Sequence, residues 1–280
     1  MNIHTDSASL EKSLFLFRDG KKIGFVPTMG ALHEGHLSLV SNALDANDCV
    51  VVSIFVNPTQ FDNASDLKKY PRNLQEDVSL LQKIKGKVLV YAPDKSDIYP
   101  GEVVSKQYRY GGIEFEMEGK HRKGHFDGVG TIVGLLLKIV KPNSAYFGEK
   151  DFQQLQIVKK LVQIEKLPVK IIGCPIVREK NGLAMSSRNR RLTPKQLEDA
   201  TILYKTLQEV RRKFKPYSIS QLNELVKERF LNSSLKLEYF EIANEKTLAT
   251  AKYKRKGNTY RGFIAAHAGS VRLIDNMPLN

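Results

Sequence analysis

Pro27-Thr28-Met29-Gly30-Ala31-Leu32-His33-Glu34-Gly35-His36 concentrates more chemistry than any other run in this chain of 280 residues. Two histidines three apart share one face of a helix. At a helix start, beside unpaired N–H groups and the positive end of the dipole, they suit phosphate. There two imidazoles can donate hydrogen bonds to phosphate oxygens as charge builds in a transition state. Gly30 permits a tight turn and Gly35 a close backbone approach. A zinc-protease helix would need histidines four apart, and capping of the helix start is the structural alternative.

Three further segments carry polar groups suited to a bound ligand. Phe55-Val56-Asn57-Pro58-Thr59-Gln60-Phe61 offers the amides of Asn57 and Gln60 to a small polar ligand. Phe147-Gly148-Glu149-Lys150-Asp151-Phe152-Gln153-Gln154 brings a point charge at Lys150 for phosphate. Its Asp151 can accept ribose hydroxyls or cap a helix. Met185-Ser186-Ser187-Arg188-Asn189, preceded by Val177-Arg178 and Asn181-Gly182, reads as a clamp on a triphosphate or as a polar linker. The basic, glycine-rich Glu118–Gly128 could cover an anionic substrate or be a charged loop. Glu76 and Asp77 could help hold a magnesium ion carried by nucleotide phosphates, or be first-turn acids of a helix capped by Asn73.

The elements that must position these residues alternate. Lys22–Val26, Cys49–Val56, Lys87–Tyr91, Ala145–Phe147 and Val169–Gly173 read as strands. Leu32–Leu44, Leu74–Ile84, Phe126–Val140 and Asp151–Lys166 read as helices, and Asn57–Arg72 as a polar loop. The wholly apolar CVVVSIFV is the pattern of a parallel strand covered on both faces. The first three segments named above each follow a strand, where open α/β sheets bind ligands. Beyond about residue 179 the pattern changes to helices over Pro194–Phe214 and Ser218–Leu231, then strands over Leu237–Ile242, Gly262–His267 and Val271–Ile274. The expectation is an α/β fold, with a doubly wound parallel sheet over residues 1–178 and a smaller α+β domain over residues 179–280.

Composition narrows the class. The chain is 41% hydrophobic and 26% charged, an ordinary globular mixture. It has no apolar run of the roughly 18 residues that span a bilayer. Its N-terminus lacks a secretory pattern, and two cysteines, Cys49 and Cys174, suit a reducing cytoplasm. Residues 1–178 carry 24 Lys and Arg against 20 Asp and Glu, and residues 179–280 carry 20 against 10. A basic C-terminal region invites a nucleic-acid partner, but no nucleic-acid-binding motif accompanies it. The expectation is a field favouring anionic substrates, with neither nucleic acid nor membrane as partner.

Together the blocks Val26–Val40, Val51–Phe61, Tyr70–Asp77, Glu118–Val133, Tyr146–Leu155, Gly182–Asn189 and Arg272–Asn276 closely resemble the pantoate–β-alanine ligases, within the His-x-Gly-His nucleotidyltransferase superfamily. The resemblance is strongest over residues 22–190. Thr59 and Lys123 depart from it, standing where Met or Leu and where Pro are common. It implies a Rossmann-like ATP- and pantoate-binding domain, a smaller C-terminal lid, and a cytoplasmic homodimer. The reaction it implies joins (R)-pantoate to β-alanine at the expense of ATP, through pantoyl adenylate, releasing AMP and diphosphate. ATP is then a co-substrate accompanied by Mg2+, with no tightly bound organic cofactor. The residues matching the ATP site are Met29, Gly30, Ala31, Leu32, His33, Glu34, Gly35, His36, Gly148, Glu149, Lys150, Asp151, Val177, Met185, Ser186, Ser187 and Arg188. Of these, His36, as proton donor, and His33, Lys150 and Arg188 are implied to be catalytic. Gln60 and Gln154 would grip pantoate, with Asn57 beside them. Pro27, Met29, Val133 and Phe147 would wall its methyl groups, and Asp77 would serve the magnesium ion. A nucleotidyltransferase that stops at an adenylated product is the alternative within the same fold.

Overall fold

The computed structural model describes residues 1–61, 64–99 and 101–280. Asp62 and Asn63, within the loop expected over Asn57–Arg72, lie outside the described residues, as does Pro100. The chain divides into two compact units. One comprises Met1–Tyr110, Arg122–Glu149 and Gln154–Pro175; the other comprises Gly111–His121, Lys150–Gln153 and Ile176–Asn280.

In chain order the first unit opens with β1 (Asn2–His4), α1 (Ser7–Arg18), β2 (Ile23–Thr28), α2 (Glu34–Leu44) and β3 (Cys49–Ile54). It continues with α3 (Ala64–Lys69), α4 (Leu74–Leu81), β4 (Val88–Tyr91) and α5 (Lys95–Ile98). After α6 (Glu118–His121) of the second unit come α7 (His125–Val140), β5 (Ser144–Gly148), α8 (Phe152–Ile164) and β6 (Lys170–Cys174). The strands form one parallel sheet in the order β1-β4-β3-β2-β5-β6. This is the doubly wound sheet expected from the apolar runs. Val26, Val50, Val52, Val88 and Val90 pack with Leu37 and Val40 of α2 and Val78 and Leu81 of α4. Alternate strand residues, Phe25, Val51 and Leu89, are equally buried and project to the other face. Both cysteines are buried, and desolvation pushes the Cys49 thiol up to about 11, which keeps it protonated and inert.

From β2 the chain moves to β3 on one side, and from β5 to β6 on the other. The topological switch point therefore lies between β2 and β5. β2 pairs with β3 along its whole length, but with β5 only at Gly24–Ser144 and Phe25–Ala145. The ladder between β2 and β5 is thus open toward the carboxyl ends.

The second unit adds α9 (Pro194–Asp199), α10 (Ile202–Lys213) and α11 (Ile219–Leu231) to an antiparallel sheet of β7 (Lys236–Asn244), β8 (Tyr260–Ala268) and β9 (Val271–Pro278). Leu203, Leu207 and Val210 of α10 and Leu222, Val226 and Phe230 of α11 share a core with Ile242, Ile264 and Leu273 of the sheet. This is the smaller α+β domain expected at the C-terminus.

Some local expectations change. β1 and α1 lie in a stretch that had no assigned elements; Asp6 caps α1 by accepting the Ser9 N–H at 2.7 Å. The polar loop of Asn57–Arg72 contains a helix, α3. The single helix over Pro194–Phe214 is two. The Thr201 hydroxyl donates to the Glu198 carbonyl at 2.7 Å, local hydrogen bonding that competes with continuation of the helix.

Candidate active site

The His-x-Gly-His segment is the turn from β2 into α2. Thr28 Oγ1 donates to the Ser53 carbonyl at 2.7 Å and accepts the Gly30 N–H at 3.1 Å, which starts the turn. Gly30 has φ +78°, and a β-carbon there would lie 2.9 Å from Asp77 Oδ2. Ala31 also sits in the left-handed region at φ 51°, a conformation costing a non-glycine residue about 1 kcal/mol. Asp77 holds the strained turn. Its Oδ2 accepts the Ala31 N–H at 3.0 Å and its Oδ1 the Leu32 N–H at 2.7 Å.

His33 is the cap of α2. Its Nδ1 accepts the Gly35 N–H at 3.1 Å, while His36 Nδ1 accepts the His33 N–H at 3.3 Å. The rings lie 4.1 Å apart. With Nδ1 accepting in each, both rings carry their proton on Nε2, across the ring from the backbone. Capping and function are therefore not alternatives here. The caps select the tautomer that presents two N–H donors at a helix start. Glu34 is exposed, whereas His33, Gly35 and His36 are half-buried.

The expectation for Asp77 is corrected. Its carboxylate is 1% exposed and each oxygen already accepts a backbone N–H. That arrangement does not fit a magnesium ligand, which keeps much of its water and needs accessible oxygens. Among the described residues, no three His, Cys, Asp or Glu cluster to hold a metal ion.

Asn57 is corrected as well. It is fully buried. Its Oδ1 accepts the Tyr99 hydroxyl at 2.7 Å, and its Nδ2 donates to the Gly128 carbonyl at 3.2 Å and to Thr59 Oγ1 at 3.0 Å. Burial raises the Tyr99 phenol above its ordinary range and keeps it a donor. Asn57 is thus a brace for the turn after β3 rather than a ligand-facing amide. Gln60, at the end of that turn, is half-buried. Its carbonyl accepts from His125 Nδ1 at 2.8 Å and from Arg122 Nη2 at 3.2 Å, and Arg122 Nη1 lies 3.0 Å from His125 Nε2. The basic, glycine-rich stretch accordingly separates into parts. Arg122 and His125 grip the Gln60 backbone, while the Glu118 carboxylate receives Arg272 at 2.8 Å within the second unit.

Of the expected pantoate contacts, Pro27 lies in β2 and Met29 just beyond it. Val133 is buried on α7, Phe147 is buried in β5, and Gln154 is half-buried in the first turn of α8. Gly148 ends β5 and Glu149 follows it; both are half-buried. A cavity of about 550 Å³ also opens in this unit, lined in part by Met29, Gly30, Phe55, Val56 and Asp77. Gln60 and Gln154 are not in its lining.

The remaining expected residues belong to the second unit. Lys150 Nζ lies 3.5 Å from Asp151 Oδ2. Val177 and Met185 face one another in a short hairpin, with Met185 N donating to the Val177 carbonyl at 3.0 Å and a bridge between Arg178 and Ala184. The hairpin leads into a tight 3₁₀ turn, Ser187–Arg191, capped by Ser186, whose hydroxyl accepts the Arg188 N–H at 3.3 Å. Ser186 and Arg188 are half-buried; Ser187 is buried. Sequence reasoning missed the braces within each unit: Tyr99 and Asp77, as a loop anchor, in the first, and the Arg178–Asp275 pair in the second, with Nη1–Oδ2 at 2.6 Å and Nη2–Oδ1 at 3.0 Å. Only a match between distant segments could have signalled them.

The chain is similar to known proteins along nearly its whole length. The family model described as pantoate-beta-alanine ligase matches residues 2–278. A pantothenate synthetase of Flavobacterium psychrophilum is 56% identical over 94% of this chain and 93% of its own. One from Aquifex aeolicus is 44% identical over 92% of this chain and 91% of its own. The crystal structure of a Thermus thermophilus pantothenate synthetase superposes with a TM-score of 0.91 at 37% identity, covering 100% of this chain and 99% of that one. The Francisella tularensis pantoate-beta-alanine ligase, complexed with beta-gamma ATP and beta-alanine, superposes at 0.82 with 38% identity, covering 100% and 98%. By sequence and by fold, the chain belongs to the pantoate–β-alanine ligase family.

Proposed function

We propose that this protein condenses (R)-pantoate with β-alanine, consuming ATP. A carboxylate resists attack by an amine because oxide is a poor leaving group. A pantoate carboxylate oxygen attacks the α-phosphorus, the bond to the β-phosphate oxygen breaks, and diphosphate leaves. The β-alanine nitrogen then attacks the carbonyl carbon of pantoyl adenylate, the bond to the AMP oxygen breaks, and the nitrogen loses a proton. The first step needs two anions brought together and phosphate charge stabilised. His33 and His36 supply Nε2–H donors, Lys150 a point charge, and Ser186, Ser187 and Arg188 a clamp. Gln60 and Gln154 orient pantoate against Pro27, Met29, Val133 and Phe147. Gly148, Asp151, Val177 and Met185 contact the adenosine part, with Glu149 also in the ATP site. Magnesium carried by ATP would supply further charge compensation on the phosphates, without Asp77 as its ligand.

The observation that carries this reading is the paired imidazoles, tautomer-locked by their own backbone at a helix start beside the switch point. The complex of the Francisella relative with beta-gamma ATP and beta-alanine supports the same substrates here. Because an acyl adenylate hydrolyses, the second unit is assigned the role of a water-excluding lid. A homodimer in the cytoplasm completes the proposal; no helix among the described residues is long and apolar enough to cross a membrane.

The test omits each substrate in turn while AMP and diphosphate are measured separately. Product pantothenate should require all three. His36→Ala and Lys150→Ala should each lower pantoate-dependent diphosphate release by roughly 10²-fold or more. Near-normal release in both variants would overturn the phosphate assignment. AMP formed without pantoate would overturn the reaction.

A further inference from the structure

Two consecutive side chains on β9, Asp275 and Asn276, reach the two segments of the second unit to which nucleotide contacts are assigned. Asp275 is 4% exposed and forms a two-pronged pair with Arg178. Arg178 also donates to the Gly182 carbonyl at 3.0 Å and lies 4.1 Å over the Tyr204 ring. It is therefore fixed on three sides at the base of the hairpin that delivers Ser186–Arg188. Asn276 is 2% exposed. Its Oδ1 accepts from Arg261 Nη1 at 2.6 Å, and its Nδ2 donates to the Lys150 carbonyl at 2.8 Å. Arg261 is itself held, 4.0 Å over the Phe152 ring and 2.9 Å from Glu245. The two braces are joined, since Asp275 Oδ1 also accepts the Asn276 N–H at 2.7 Å.

We propose that Asp275 and Asn276 are positioning residues for adenylate formation, setting the Lys150 backbone and the Ser186–Arg188 turn in fixed register to one another. The proposal rests on the nucleotide reading of those two segments. Neither residue is assigned a substrate contact; each works through a group it holds. The leverage is large because a misplacement of about 1 Å in a reacting group can cost on the order of 10²-fold in rate.

Asn276→Asp isolates the effect. It keeps the acceptor toward Arg261 and sets an oxygen, in place of the N–H donor, against the Lys150 carbonyl. kcat/KM for ATP should fall by about 10- to 100-fold, while KM for β-alanine stays within about twofold. In a Lys150→Ala background, which keeps the carbonyl but removes the ammonium it positions, the same substitution should lose most of its effect, because a residue acting by placing a side chain contributes nothing once that side chain is gone. A general packing defect would persist in that background. Arg178→Lys, which keeps the charge and loses the fork, carries the same comparison against Arg188→Ala should Asn276→Asp not fold. Wild-type ATP kinetics in folded Asn276→Asp, or an undiminished loss in the Lys150→Ala background, would overturn the proposal. Wild-type ATP kinetics in Lys150→Ala alone would overturn the nucleotide reading first, and the proposal with it.

Discussion

Asp77 shows how a carboxylate can serve the turn proposed to bind phosphate without itself being a ligand contact. Its two oxygens take the N–H groups of Ala31 and Leu32, and so hold Ala31 in a backbone conformation it would otherwise avoid. Replacing it with Asn leaves the shape but turns one acceptor into a donor facing a donor. Hydrogen bonds to charged groups contribute roughly 1.5–3 kcal/mol, so Asp77→Asn should lower stability by about that amount. It should also cut adenylate formation, while the magnesium concentration for half-maximal rate stays put. A shift in that magnesium requirement of tenfold or more would restore Asp77 as a metal ligand. The types and spacing of His33 and His36 were legible in sequence because both lie in one turn. The role of Asp77 was not, because its partners are 45 and 46 residues away and only the fold joins them.

At the scale of elements, five of the six strands of the parallel sheet were readable from their apolar runs, and α2, α4, α7 and α8 from their spacing. What could not be read was how closely α7 approaches the turn after β3. Gly128 lies where a β-carbon would fall 2.2 Å from the Thr59 carbonyl oxygen, and its own carbonyl takes Asn57 Nδ2. The obstruction is backbone, so it cannot rotate away. Gly128→Ala should therefore push the Asn57–Gln60 turn off α7. Its KM for pantoate should rise at least as steeply as in Gln60→Ala, with KM for ATP changed much less. Equal losses for both substrates would mean that α7 supports the site as a whole rather than this turn. The missed break between α9 and α10 has a local cause of the same kind, a threonine hydroxyl taking a carbonyl that the helix would have used.

At the scale of the molecule, a change of pattern near residue 179 marks the C-terminal domain in the sequence. The second unit also takes in Gly111–His121 and Lys150–Gln153. Composition could not announce these short segments, since what commits them is pairing with distant residues. Gln153 Oε1 accepts the Glu118 N–H at 3.0 Å and its Nε2 donates to the Ile113 carbonyl at 2.8 Å, while Arg272 meets both Glu118 and Glu238. The chain therefore passes between units five times. This has a practical consequence for anyone excising the C-terminal piece. A recombinant fragment of residues 179–280 would strip Arg272 of Glu118 and Arg261 of the Phe152 ring, leaving charge and apolar surface bare. Such a fragment should give poorly dispersed amide spectra on its own. A fused version that restores the two donated stretches should sharpen them.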